Sequence, residues 1–544
     1  MCADIQPLEP RRLLAANPLA GQTEPGWGDG LLVAYYDNLN FSGKSKWLID
    51  EQPNHIWGND APDPKIFRNE WSARFSGAIE APVDAVYTFW VRHDAGVRIW
   101  IDHEMVINAF KPTRNTFERT AEIELDAGQH DILIEYYTTT GFSNLFVTWQ
   151  AGGPDGFVRR TIQPEELTPQ YLDLEDQIDA ALAFNRDQIA RAFDNGSTPA
   201  GGSPVRGDSA DAWVRRESSY WTSGYYAGVL WQMDRYFDGA GWDVFANEWT
   251  TPQLGETNYT GDHFSRVFPA VEREQSADAR QAILDAAAAR IASFDATVGA
   301  FDTPEIVEAA TDPSADFGLL MDQTMDQEVI YRAIDLGADP SWATLAETHF
   351  ETVLDQLVRP DGSVIQRGFF DSSTGNRVEI QNYQGLDDDS TWSRAQAWAV
   401  YSFAFMAERT GRADFVAAAR NVADYWLANV PDDGYQGFGV PFWDFDAPAD
   451  PGTPRDSSAA AIAAVGLQRL GRYLDDDTYT DAAESTLCTL LGHRYMVGNT
   501  SLPGTRPGLI DLGSQGVPQN RGIDVPLVFG DYYTLLAVNE YLGK

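Results

Sequence analysis

The chain has 544 residues, more than one ordinary core accommodates, and at 43% hydrophobic and 22% charged it belongs with folded rather than disordered sequences. Its formal charge of −42 argues against nucleic acid and anionic membrane as partners, whose phosphates it would repel. No apolar run approaches the roughly 20 residues of a membrane helix, and Cys2 and Cys488 alone make neither a disulfide framework nor a zinc-type cluster.

Residues 1–27 open with "MCADIQPLEPRRLLAA", which looks like the short Arg-Leu leaders of some exported bacterial proteins. They are expected to direct export to the periplasm or beyond, with a cytoplasmic location as the alternative. From 28 to 152 the text alternates apolar and polar residues in "GLLVAYYD", "AVYTFWVRHD", "VRIWIDHEMVIN" and "HDILIEYYTT", broken by Gly, Asp and Asn turns. That pattern predicts an antiparallel β-sandwich. The Gly/Pro-containing stretch 153–171, "GPDGFVRRTIQPEEL" at its heart, reads as a linker.

From 172 to 544 the period becomes helical, with about twelve segments, those at 392–410 and 412–429 being joined by a tight Gly turn. Two helices finish alike, in "FETVLDQLVRPDG" and "VADYWLANVPDDG", which suggests a repeated helical hairpin. Six hairpins closed in a ring would make an all-α (α/α)6 barrel. A loose bundle or an open solenoid fits the pattern equally.

Alternate helices start with an acidic residue beside aromatics: Asp262 in "YTGDHFSRVF", Asp322 in "FGLLMDQTMDQ", Asp389 in "DDDSTWSRAQAW" and Asp456 in "PRDSSAAAI". Helix capping accounts for Asp389, Ser390 and Asp456, but poorly for Asp322, which apolar residues precede. If the helices alternate between an inner and an outer ring, these starts share one mouth, where backbone N–H groups favour anions. Trp392, Trp398, Trp213, Trp221 and Trp443 are then candidate sugar-stacking faces or core residues, and 17 tryptophans exceed the average usage of about seven. Arg394 stands four residues before Trp398 on one helix face; it suits an acidic sugar bidentately, or a surface ion pair with Asp387 to Asp389.

The stretches "YWTSGYYAGVLW", "MDQTMDQEVIYRA", "RPDGSVIQRGFFDSSTG", "YQGLDDDSTWSRAQAWAVYSF", "PFWDFDAP", "RDSSAAAIAA" and "DVPLVFGDYY" run in order through 205–544. This segment resembles glycoside hydrolase family 88, the unsaturated glucuronyl hydrolases, together with the related unsaturated rhamnogalacturonyl hydrolases. The resemblance implies an (α/α)6 barrel that removes 4,5-unsaturated uronic acid from the non-reducing end of lyase-made oligosaccharides. It would do so by hydrating the vinyl ether, with no metal or organic cofactor. Asp322 matches the general acid/base of that family and Asp262 its second carboxylate, whose negative charge would raise the Asp322 pKa. Gln384, Arg394 and Trp398 match positions that line the uronate site, while Gln366 and Tyr383 stand where many members have histidines. The implied ligand is an unsaturated acidic oligosaccharide, with a rhamnogalacturonyl- or ulvan-type uronide as one alternative and a non-catalytic glycan-binding protein as another.

The front half, through "GLLVAYYDNLNFSG", "YTFWVRHDAGVRIWIDHEMVI" and "IEYYTTTGFSNLFVTW", resembles the protective-antigen-type β-sandwich. Sugar-binding members of that group hold calcium with two adjacent aspartates, where this chain reads His93-Asp94.

Overall fold

The computed structural model describes residues 30–544 apart from single positions and short stretches, the longest being 40–44, 112–115, 169–173, 190–197, 255–269, 432–437 and 498–506. The leader 1–27 lies outside the described residues. The chain divides into two compact units, Met1–Asp173 and Leu174–Lys544.

In the first unit the period-two alternation becomes two antiparallel sheets. Strands β1 (Leu31–Tyr36), β2 (Ser45–Asp50), β4 (Trp71–Ala81), β6 (Gly96–Ile101), β7 (Glu104–Ala109) and β9 (Gly128–Thr138) lie in the order β2-β1-β4-β9-β6-β7. Strands β5 (Ala85–His93), β8 (Phe117–Leu125), β10 (Ser143–Ala151) and β11 (Phe157–Thr161) form the order β11-β10-β5-β8, with β3 (Asn54–Gly58) on β10. Residues at alternate positions of both sheets, Trp71, Phe75 and Ile134 with Phe89, Val91 and Trp149, share one buried core, as a sandwich requires. Glu135 of β9 stands opposite Arg74 of β4 and Arg98 of β6, and its two carboxylate oxygens accept from their Nε atoms at 3.0 Å each. A slip of one residue would send every side chain to the other face and break this charge-assisted set, so the register is held twice over.

The second unit contains the helices α1 (Tyr225–Tyr236), α2 (Trp242–Thr250), α3 (Ala277–Ala292), α4 (Glu328–Asp335) and α5 (Trp342–Leu357). After these come α6 (Ser393–Thr410), α7 (Ala413–Asn429), α8 (Ser457–Leu474), α9 (Asp477–Leu491) and α10 (Val528–Tyr541). Two kinds alternate. Helix α7 buries one stripe, Phe415, Ala418, Ala419, Val422, Ala423 and Trp426, and so belongs outside. Helices α1, α6, α8 and α10 are buried nearly all round and must lie inside. Helix α6 packs on α8, α8 on α10 and α10 back on α1, while α2, α7 and α9 support α1, α6 and α8 from outside. The contact between the last and the first inner helix closes a ring that an open solenoid would lack. The architecture is a β-sandwich unit followed by an α/α barrel.

Inner helices come close because α8 is built from small residues, with Ala459, Ala460, Ala461, Ala463, Ala464 and Gly466 all buried. At Gly466 the backbone of α6 passes so near that a Cβ would meet the Tyr401 Cα and N at 2.7 Å. The helix starts follow the sequence expectation in part. Asp456 caps α8 by accepting from the Ser458 N–H at 3.2 Å. Asp389 and Ser390 do not cap α6, whose first flanking residue is Trp392 with no side-chain cap. The chain needs them one turn earlier, where Asp387 accepts from the Asp389 and Ser390 N–H groups at 3.0 and 2.9 Å.

Substituting Gly466→Ala is expected to destabilise the helical unit by about 1–3 kcal/mol through overpacking against a backbone that cannot rotate away. Urea unfolding followed by far-UV circular dichroism checks it; an unchanged midpoint would mean that α6 and α8 can separate without cost.

Candidate active site

The strand Phe317–Leu320 pairs with Arg367–Asp371, which pairs in turn with Asn376–Gln381. These apolar strand residues are the ones that made a capping role for Asp322 fit poorly. The chain leaves the strand at Met321, whose N–H donates to the Gln366 carbonyl at 2.9 Å, and enters a 3-10 turn, Met321–Gln327, leading into α4. Asp322 therefore sits at a strand-to-helix junction, with its Oδ2 buried and without a hydrogen-bond partner. Burial pushes its carboxyl above the ordinary range, while Arg394, Arg367 and a hydrogen bond with Gln366 act in the opposite direction. The like-charge cause expected from Asp262 cannot be placed, because Asp262 lies outside the described residues.

Around this carboxyl the amides interlock. Gln366 Nε2 donates to Gln384 Oε1 at 2.9 Å, Gln384 N donates to Gln366 Oε1 at 3.0 Å, and Gln384 Nε2 donates to the Gln515 carbonyl at 2.6 Å. Tyr383 is 46% exposed. Its ring lies under the Arg367 guanidinium, 4.2 Å from centroid to Cζ.

Arg394 is 1% exposed. Its guanidinium pairs with the fully buried Asp456 and donates to the carbonyls of Ser514 at 2.9 Å and Gln515 at 2.7 Å. The surface pairing with Asp387 to Asp389 does not form, because Arg394 starts an inner helix and points across to α8. Trp392 is also in the core, one ring face taken by that guanidinium at 4.4 Å, so it buttresses the arginine instead of offering a floor to a sugar. Trp398 is buried edge-on against Tyr533 at 5.3 Å, and Trp443 is buried. Trp221 and Trp213 remain half-buried, Trp221 tilted on Phe529 at 5.7 Å.

Arg367 is a site residue that sequence reasoning missed. Its signal was a cation directly after Gln366 in "SVIQRGFF", but a lone arginine on a strand is usually a surface residue, and only the fold puts it beside Asp322.

A cavity of about 400 Å³ opens among the C-terminal ends of the inner helices, with Arg469, Arg472 and Glu540 in its wall. There Arg469 pairs with Glu328 and Glu540 at 2.8 and 2.9 Å and Arg472 pairs with Glu540 at 2.5 Å, an arrangement that matches cations to helix C-termini. Here the charges are paired with one another, whereas at the N-terminal side of the inner helices the Asp322 Oδ2 is left without a hydrogen-bond partner. In the β-sandwich unit, Asp94 accepts from Tyr136 Oη at 2.9 Å and Asn144 N at 2.8 Å, and the buried His93 ring contacts the Ala95 carbonyl at 2.5 Å. Both halves of the His93-Asp94 pair thus serve the sandwich itself.

A barrel mouth that gathers a buried carboxyl with amide, guanidinium and aromatic groups has the group types that acid–base chemistry on a sugar uses, the class of the glycoside hydrolases. The protective-antigen PA14 domain model matches residues 27–153. The unsaturated glucuronyl hydrolase of Bacillus sp. strain GL1 is 30% identical over 354 residues, covering 62% of this chain and 89% of that protein. The unsaturated glucuronyl hydrolase of Formosa agariphila is 30% identical over 332 residues, 59% and 80% of the two chains. The crystal structure of the Bacillus enzyme, described as responsible for the degradation of glycosaminoglycan, superposes with a TM-score of 0.59 at 27% identity, over 68% of this chain and 97% of that one. The chain belongs to the unsaturated glucuronyl hydrolases, glycoside hydrolase family 88, enzymes that remove an unsaturated uronic acid from oligosaccharides.

Replacing Asp456 by Ala would leave the Arg394 charge buried with only carbonyls and the Ser458 hydroxyl around it, at a cost of roughly 3–5 kcal/mol. The expected outcome is a matching fall in urea-unfolding stability of the helical unit. A fall below 1 kcal/mol would show that the pair is not what balances the buried guanidinium.

Proposed function

We propose that Asp322 is the general acid and base of an exo-acting hydration of 4,5-unsaturated uronides. The observation that carries this reading is the burial-raised carboxyl of Asp322 at the N-terminal mouth of the inner ring, whose Oδ2 is buried without a hydrogen-bond partner. Protonated, Asp322 delivers its proton to C4 of the vinyl ether as a water oxygen bonds to C5. The resulting carboxylate takes a proton from that water, so the acid is regenerated. The hydrated product is a hemiketal at C5, whose C5–O5 ring bond breaks to give a ketone. The hemiacetal so left at C1 breaks its bond to the next sugar, which departs as an alcohol and leaves a C1 aldehyde, and no metal or organic cofactor enters the sequence. Assistance of this kind contributes roughly 10²–10⁴ in rate.

Asp262 is proposed as the second carboxylate on the family resemblance alone. Gln384 supplies its amide group to the sugar and the buried Gln366, bonded to both Gln384 and Asp322, holds it in place, while Trp221 and Tyr383, two partly exposed rings, supply stacking faces. The substrate is an acidic oligosaccharide rather than nucleic acid, because a chain of charge −42 can hold an anion only where cations are gathered locally. Export is the accompanying proposal, resting on the leader and on fusion to a carbohydrate-module-like sandwich.

Lyase products of ulvan, chondroitin, hyaluronan, heparin, alginate and pectin absorb in the ultraviolet through their C=C bond. With the wild-type protein the absorbance of at least one series is expected to decay, and with Asp322→Asn to persist; equal decay would remove the assignment. The pH dependence has a defined sign. The acid must be protonated in the enzyme–substrate complex, so kcat is expected to fall as pH rises through the upward-shifted Asp322 pKa.

A further inference from the structure

We propose that Arg367 is the residue that grips a substrate oxyanion, a uronate carboxylate or a sulfate ester, beside the reacting double bond. The inference rests on Asp322 marking the site and goes on to say which cation faces the ligand.

The argument starts from Arg394, which occupies a uronate-lining position by resemblance but whose guanidinium is filled from within. Asp456, Ser458, Ser514 and Gln515 take N–H groups of Nη1 and Nη2, and Trp392 takes one face. An anion arriving at Arg394 would have to displace a buried carboxylate. Arg367 is the reverse case. It is half-buried, its Nε is buried without a hydrogen-bond partner, and none of its N–H groups meets a carboxylate or carbonyl among the described residues. The Tyr383 ring lies against a face of its guanidinium, 4.2 Å from centroid to Cζ, and among the described residues no hydrogen bond or ion pair takes its N–H edge. A partly desolvated cation with no ion pair is costly: burial shifts the Arg367 pKa downward, and the nearby Asp322 carboxylate, acting the other way, offsets this only while it is ionised. The cost is recovered when a ligand supplies the anion.

Geometry makes Arg367 a defined grip and not a loose surface charge. It is the first residue of its strand, paired with Leu320 on one side and Gln381 on the other, and Asp322 lies two residues beyond Leu320. Its planar fork matches carboxylate or sulfate, which a lysine would meet only as a point charge. Of the charged groups acting on Asp322 among the described residues, Arg394 stays neutralised by Asp456, whereas Arg367 is neutralised only when the ligand binds. Substrate arrival thereby removes one influence that keeps Asp322 ionised and favours the protonated form that the reaction uses.

The test takes the lyase product that the wild-type protein turns over best, as made and after chemical desulfation, and compares wild type, Arg367→Gln, Arg367→Lys and Asp322→Asn. For Arg367→Gln, KM is expected to rise on the order of 10- to 100-fold, with a far smaller change in kcat, and Arg367→Lys should recover only part. A rise with both substrate forms assigns the carboxylate, and a rise confined to the sulfated form assigns the sulfate. KM within twofold of wild type for both forms, while Asp322→Asn has lost turnover, overturns the proposal. Turnover surviving in Asp322→Asn would instead overturn the site reading itself. Near-UV circular dichroism verifies folding, and should Arg367→Gln fail to fold, Arg367→Lys and Tyr383→Ala carry the same comparison.

Discussion

The Arg394–Asp456 pair is the joint on which the mouth of the barrel is built. A guanidinium withdrawn from water needs its charge and its N–H groups matched, and here the match draws together the starts of two inner helices and the 514–515 segment. The Gln515 carbonyl also accepts from Gln384, Gln384 interlocks with Gln366, and Gln366 meets Asp322. One continuous chain of polar contacts thus runs from the core of the ring to the proposed acid. Each member is buried or partly buried, so the chain has few alternative arrangements, and a proton-transfer site needs that definition.

Electrostatics divides the barrel into two ends. Inner helices present N-termini at one mouth, where anions are favoured, and C-termini at the other, where Arg469 and Arg472 are tied to Glu328 and Glu540. In a chain of net charge −42, this division lets an acidic ligand enter one end against an unfavourable overall field. The same mouth holds the Asp322 carboxyl, which the proposed reaction needs in its protonated form. Burial favours that form against two arginines, and the opposition is workable because one of them, Arg394, already has its counter-charge.

The β-sandwich unit solves a different problem with similar means. Glu135 is buried between Arg74 and Arg98 and fixes the register of three strands, and Asp94 is held by Tyr136 and Asn144. Its acidic groups are committed to holding strands, which is consistent with a histidine standing where the calcium-binding relatives of the domain place a second aspartate.

Much of this architecture was legible in the residue order. Period-two alternation marked the sandwich strands, helical periodicity and a Gly turn marked the segments at 392–410 and 412–429, and Asp456 read correctly as a cap. Asp389 misled because Asx turns and N-caps share the same residue types, and only the chain path decides between them. Trp392, Trp398 and Arg394 looked like ligand-facing groups because residue type reveals polarity and shape but not which neighbour claims them. The sequence by itself determined the two periodicities, the small-residue inner helices and the placing of acids at helix starts, since these are local and repeat along the chain. Only the tertiary structure decided that Arg394 is spent internally while Arg367 stands unpaired beside Asp322, because pairing is a property of distances between segments far apart in the chain.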